Sequence, residues 1–242
     1  LIKKQLGDTP CFVGEKRVPA IEQIYQLYPE THWVILDDAY QHRALKADIS
    51  IVLTRWDCPF SSDYLWPVGN LRDLSSAIQG ASAVVITSTP ENASVKEIEF
   101  KKNEIARHYN GPIFTAQICV KELKSLNGDL NKVCTPPIGA FSGIAHPDAF
   151  LETLLSRYPI TQSISFPDHH SFSEQDVQKL TTEMVNFGGK INSWITTEKD
   201  AMRLMEKNEW KALPIFYLTI ESRIHPADQE KWNQWLNHQI QK

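Results

Sequence analysis

Short apolar runs alternate with helical stripes along almost the whole chain, and that alternation predicts a parallel α/β architecture. Val18, Ile21, Ile24, Tyr25 and Tyr28 fall on one helical face. Trp33 to Leu36 reads as a buried strand that ends abruptly in Asp37 and Asp38. Ile49 to Leu53 gives a second strand, Leu71 to Gln79 a helix, and Ala83 to Thr87 a third strand. Ser94-x-x-Glu97 is a capping box that opens a helix running to about Tyr109, and Pro112 to Val120 reads as a longer strand. Residues 121–137 are polar and end in Pro136-Pro137, so they read as a linker between a first lobe, 1–120, and a second, 138–242. In the second lobe, strands at Ile138 to Ser142, Ile160 to Phe166, Trp194 to Thr196 and Ile215 to Thr219 alternate with helices opened at Pro147, Ser173 and Thr197. Trp232, Trp235 and Leu236 mark a terminal amphipathic helix.

Composition narrows the class without naming a function. The 242 residues suffice for one large domain or two smaller ones, and 42% hydrophobic with 22% charged residues is ordinary for a folded domain. A net charge of −4 gives no nucleic-acid footprint. Four scattered cysteines, Cys11, Cys58, Cys119 and Cys134, form no C-x-x-C pair, which argues against a zinc site or a disulfide framework and fits a reducing compartment. No run approaches the length of a membrane span. The chain starts at Leu1 rather than Met, so its natural N-terminus is expected to be missing.

The candidate chemistry begins at Asp37-Asp38. Burying ionised carboxylates is expensive, so adjacent acids belong where a strand emerges from its sheet, which in open parallel sheets is where ligands bind. Two carboxylates suit Mg²⁺, which fills its other positions with water and phosphate oxygens. If a helical turn follows, Asp38, Gln41 and His42 share one face, adding an amide and an imidazole able to reach a phosphate. The plainer alternative is a solvated strand end with Gln41 and His42 capping a loop.

Asp168-His169-His170 stands at another strand end and can supply a general base or a base with its orienter, although successive side chains of an extended segment point oppositely. The alternative is a polar turn before a helix. Lys199, in Thr197-Glu198-Lys199-Asp200, sits at a helix start that suits an anion, while Thr-x-x-Asp also reads as a simple cap. Arg72, after Pro67-Val68-Gly69-Asn70-Leu71, could clamp a phosphate bidentately or pair with a surface acid. No G-x-x-x-x-G-K-[ST] loop is present: Gly189-Lys190 has Met184 at the first glycine's place and Ile191 after it.

Together these segments resemble one family, tetraacyldisaccharide 4′-kinase, the lipid A 4′-kinase of Gram-negative bacteria, in its Bacteroidetes form. Its Asp-Asp-Gly-Phe-Gln-His-Arg motif corresponds to Asp37-Asp38-Ala39-Tyr40-Gln41-His42-Arg43, and its Pro-x-Gly-x-Leu-Arg segment to Pro67 through Arg72. Its Gly-Ile-x-Asn-Pro turn is similar to Gly143-Ile144-Ala145-His146-Pro147, and its Phe-x-Asp-His stretch to Phe166-Pro167-Asp168-His169. Thr-Glu-Lys-Asp-Ala is unchanged at Thr197 to Ala201. Ala39 replaces a usual Gly and His146 a usual Asn.

The resemblance implies a P-loop-kinase-like parallel sheet core plus a smaller C-terminal α/β lobe. It implies transfer of the ATP γ-phosphoryl group to the 4′-hydroxyl of a tetraacyldisaccharide 1-phosphate, peripherally, at the cytoplasmic face of the inner membrane. Asp37 and Asp38 would act on Mg²⁺, Gln41 and His42 would line the same site, and Arg72 and Lys199 would contact the nucleotide. His169 would partner the catalytic base, with Asp168 beside it. The family places its P-loop, a membrane-contacting helix and a Gly-Asp-Glu motif ahead of the region matching Leu1. The chain is therefore expected to be the family without roughly its first third, and alone to bind ATP poorly and not turn over. The rival expectations are a metal-dependent hydrolase built on Asp37, Asp38 and His169, and a non-catalytic lipid- or protein-binding relative.

Overall fold

The computed structural model describes residues 6–42, 44–69, 71–129, 131–186 and 191–241. Arg43, Asn70 and the Gly189-Lys190 pair lie outside the described residues. In chain order the elements are α1 (Arg17–Leu27), β1 (Ile51–Arg55), β2 (Ala83–Thr87), α2 (Val95–Ala106), β3 (Ile113–Ser125), β4 (Ile138–Ser142), α3 (Pro147–Leu155), β5 (Ile160–Ser165), α4 (Glu174–Asn186), β6 (Ser193–Thr197), α5 (Glu198–Leu204), α6 (Asn208–Lys211), β7 (Ile215–Ile224) and α7 (Gln229–Ile240). Single 3₁₀ turns sit at Phe60–Ser62, Ser75–Gly80 and Pro226–Asp228.

The chain divides into two compact units, one formed by Asp8–Cys119 with the segment from Ser222 onward, the other by Val120–Glu221 with Leu6 and Gly7. This differs from the expected 1–120, 121–137 and 138–242. The expected linker begins inside β3, and α7 groups with the N-terminal residues. The reason lies in pairing. The polar half of β3 is held by β7, with Glu122 N–H donating to Thr219 Oγ1 at 3.1 Å and Leu126 N–H to Ile215 O at 2.9 Å, an antiparallel register. Lys121 adds an ion pair to Glu221 at 3.0 Å.

In the first unit β1 and β2 pair in parallel, Leu53 opposite Val85, and β2 pairs in parallel with β3, Val85 opposite Phe114. Alternation along β2 sends Val84 and Ile86 to one core, with Ile78, Ile105 and Tyr109, and Ala83 and Val85 to another, with Phe114 and Ala116. Trp232 and Trp235 of α7 close the latter, their rings 5.1 and 5.5 Å from Phe114. The capping box of α2 forms as expected, Ser94 and Glu97 exchanging both bonds.

Trp33 to Leu36 is not a strand. Residues 32–36 make no backbone hydrogen bond to a strand among the described residues, and Ile35 is 94% exposed. An apolar run becomes a strand only where a neighbouring ladder takes up its amides. The helix expected over Leu71 to Gln79 is also absent: only the 3₁₀ turn Ser75–Gly80 forms.

In the second unit the strand order is β3-β7-β6-β4-β5, with β7, β6, β4 and β5 mutually parallel. Both faces are covered, as parallel sheets require. One carries Phe141, Phe166, Phe172, Trp194 and Trp210; the other carries Ile138, Leu154, Ile195, Phe216 and Leu218. Gly139 makes room for the buried Trp194, whose indole a Cβ there would overlap. The described cysteines are all free.

Candidate functional site

Two polar corners carry the candidate residues, one in each unit. In the first unit Asp37 and Asp38 lie at a bend with both side chains exposed, and Asp38 has φ +48°. That left-handed residue, a conformation aspartate tolerates better than most, breaks the helical continuation that would have put Asp38, Gln41 and His42 on one face. A turn follows instead, His42 N–H donating to Ala39 O at 2.9 Å. Tyr40 fixes this turn to the 3₁₀ segment, its hydroxyl donating to Ala77 O at 2.6 Å. Burial, and then the negative charge of Asp73, push the Tyr40 phenol above its ordinary value, which keeps it a donor.

The same docking brings Arg72 to Asp38, with Nη1 at 3.6 Å from Oδ2. Arg72 precedes the 3₁₀ segment rather than starting a helix. Its loop is tight: Leu71 N–H donates to Tyr64 O at 3.0 Å and Trp66 N–H to Leu71 O at 2.9 Å, and a Cβ on Gly69 would overlap the Tyr64 backbone and the Asp63 carboxylate. Gln41 is exposed, while His42 is half-buried and keeps Nδ1 buried with no partner among the described residues. No described group of three or more His, Cys, Asp or Glu side chains could hold a metal. A pair of adjacent, solvent-facing carboxylates is nevertheless the donor set that suits Mg²⁺, in contrast to the three or four protein ligands zinc demands.

The second corner lies beyond the carboxyl ends of three parallel strands. Gly143 follows β4, Asp168 and His169 follow β5, and Lys199 and Asp200 open α5 after β6. Asp200 is fully buried. Its Oδ2 accepts from Gly143 N–H at 2.9 Å and Thr197 Oγ1 at 2.8 Å, and its Oδ1 from Arg203 Nη1 at 3.1 Å. Arg203 reaches onward, Nη2 lying 3.1 Å from His169 Nδ1.

His169 adopts φ +59° and donates its own N–H to Asp168 Oδ1 at 2.9 Å. Asp168 and His169 therefore do not diverge as in an extended chain: the left-handed turn brings His169 Nε2 to 3.7 Å from Asp168 Oδ2. Lys199 Nζ stands 3.6 Å from Asp168 Oδ1. His170 is occupied otherwise, bonded to Asp176 Oδ2 at 3.0 Å and stacked on Phe166. Burial pushes the Asp176 carboxyl up, but hydrogen bonds from Ser173 N–H, His170 and the Ser173 hydroxyl outweigh it and hold the group below the ordinary carboxylate range. A cavity of about 230 Å³ opens here, lined by His169, His170, Ser171, Phe172, Arg203 and Lys207.

The structure thus joins Asp38 with Arg72, and Asp168 with His169 and Lys199. Asp200 and Arg203 were not singled out for chemistry in the sequence. Their three-residue spacing on a helix was the available signal, although nothing local shows that Arg203 leads to an imidazole.

A sheet of mainly parallel strands, with polar groups beyond the strands' carboxyl ends, defines an α/β protein. The family model described as tetraacyldisaccharide-1-P 4′-kinase (LpxK) matches residues 1–241, and the chain belongs to this family. It is 34% identical over 229 residues to a tetraacyldisaccharide 4′-kinase of Cytophaga hutchinsonii, covering 91% of this chain and 63% of that protein. The relative from Bacteroides thetaiotaomicron is 32% identical, with 93% and 63% covered. The chain thus spans under two thirds of the length of these relatives. The fold is similar to the crystal structure of LpxK from Aquifex aeolicus in complex with ATP, with a TM-score of 0.55 at 23% identity over 85% of this chain and 57% of that one.

Proposed function

We propose that the whole protein transfers the γ-phosphoryl group of ATP to the 4′-hydroxyl of a tetraacyldisaccharide 1-phosphate, at the cytoplasmic face of the inner membrane where such an acylated substrate resides. Membership of the kinase family over residues 1–241 carries this reading. Phosphoryl transfer asks little covalent chemistry of a protein and much positioning and charge, and both corners fit that demand.

Asp37 and Asp38 would hold Mg²⁺, which when bound neutralises charge on the nucleotide's phosphates. Arg72 beside Asp38 supplies a fork of donors that matches a phosphate. The uncommitted Nδ1 of His42 remains for a polar partner. In the other unit Lys199, Asp168 and His169 offer a cation, a carboxylate and an imidazole within one turn of chain and helix. The relatives named above favour the kinase over the hydrolase and over a non-catalytic binder.

The test is an assay of the whole protein with Mg-ATP and the lipid precursor. The expected outcome is ADP and a lipid phosphorylated at two positions, with Asp38→Asn reducing the rate by about 10²-fold or more. Lipid left unphosphorylated by the wild type would refute the proposal.

A further inference from the structure

We propose that Arg203 is a positioning residue which, seated on the buried carboxylate of Asp200, fixes the tautomer of His169 and makes that ring a hydrogen-bond donor at Nε2 instead of a base. The inference rests on the reading of His169 as a member of the phosphoryl-transfer site.

A carboxylate removed from water must be fully compensated, and Asp200 is compensated from three directions, by Gly143 N–H, the Thr197 hydroxyl and Arg203. It also lies in the first turn of α5, where the helix dipole favours negative charge. Its position is therefore over-determined. Arg203 follows one turn later, and its Nη1 is shared between Asp200 Oδ1 and Gly143 O, the latter at 3.3 Å. With one edge of the guanidinium so committed, the plane is fixed and Nη2 meets His169 Nδ1 at 3.1 Å.

A guanidinium has donors and no acceptor. His169 Nδ1 must accept, so in the neutral ring the proton sits on Nε2. Nε2 is the atom at 3.7 Å from Asp168 Oδ2, and His169 lines the 230 Å³ cavity. The ring thus presents an N–H to whatever oxygen enters: a carboxylate or a phosphate. Orientation of an imidazole by a partner on its far nitrogen is a known lever on catalysis. Here the partner is a cation and not a carboxylate, and the outcome is the opposite sense of hydrogen bond at the exposed nitrogen. His170 does not compete for this role, being held by Asp176 between Phe166 and Phe172.

The experiment uses the whole protein labelled with ¹⁵N-histidine, and long-range ¹H–¹⁵N correlation spectra near neutral pH. His169 is assigned by the signal lost in His169→Gln. The expected wild-type pattern is an unprotonated Nδ1 and a protonated Nε2. Arg203→Met removes the donor, and the Nδ1-protonated form should then appear, with kcat falling about 10- to 100-fold and KM for ATP nearly unchanged. Arg203→Lys, which keeps the charge facing Asp200, should fold like the wild type and restore part of both readouts. A wild-type ring carrying its proton on Nδ1 would overturn the proposal. So would an Arg203→Met protein with wild-type tautomer and kcat. A wild-type protein that transfers no phosphate, yet shows the Nε2–H tautomer disturbed by Arg203→Met, would leave the positioning intact and sink the kinase reading alone.

Discussion

Around Asp200 a fully buried carboxylate is met by an amide, a hydroxyl and a guanidinium, all within 3.1 Å. Around Asp38, on irregular backbone, the ion-pair partner among the described residues is Arg72 at 3.6 Å, and the two side chains are 80% and 71% exposed. An exposed pair of this kind contributes about 0–1 kcal/mol, whereas breaking a buried one costs about 3–5 kcal/mol. The histidine corner is built before any ligand arrives. The acid corner keeps its carboxylates exposed to solvent, as the proposed Mg²⁺ site requires.

The strongest test of this contrast is Asp200→Ala, expected to destabilise the protein by about 3–5 kcal/mol in denaturant unfolding. A loss under about 1 kcal/mol would show that the carboxylate anchors nothing. Asp228→Ala sharpens the point. Asp228 is buried in the other unit, accepts from Thr115 N–H at 2.8 Å and Thr115 Oγ1 at 2.7 Å, and is paired with Lys102. Its loss should be of the same size, because burial and not location sets the cost.

Gly69→Ala comes next. The added methyl must displace the Tyr64 backbone or the Asp63 carboxylate, at about 1–3 kcal/mol, and the shift should carry Arg72 away from Asp38. Asp38→Asn should move the unfolding midpoint hardly at all, within about 0.5 kcal/mol, while abolishing most of the phosphoryl transfer. Chelation of Mg²⁺ should reproduce the activity loss and leave stability unaltered. If Asp38→Asn instead unfolds the protein, the acid corner is structural and the contrast is gone.

The smallest effect concerns pH. Asp176 has a folded pKa held below its unfolded value. The stability it confers is therefore complete above the unfolded value, about 3.9, and is lost as the pH falls through the lower, folded one. Asp176→Asn should flatten the pH dependence of the unfolding midpoint below about pH 4 and leave it at neutrality as it was.

Legibility in the sequence followed the range of the forces. Ala83 to Thr87 and Ile138 to Ser142 were readable because both faces of those strands are buried, so the residues form unbroken apolar runs. Ser94 and Thr197 were readable because a cap is a local bargain between residues three apart, and Pro147 because proline suits the first helical position. Trp33 to Leu36 misled, since its pattern matches a strand while its amides find no ladder among the described residues. Lys121 to Ser125 misled in the other direction: polar residues stay in β3 because β7 pairs with them. The motif residues of the candidate site were legible as motifs. The Asp200–Arg203–His169 connection was not, because it depends on a loop 34 residues away in sequence from Arg203.

The amide of Gly143 and the carboxylate of Asp200 are 57 positions apart, so neither is satisfied until most of the intervening chain has been threaded. Closing such a loop costs chain entropy. A nascent chain that ends before residue 200 carries an amide and a histidine still waiting for their counterparts.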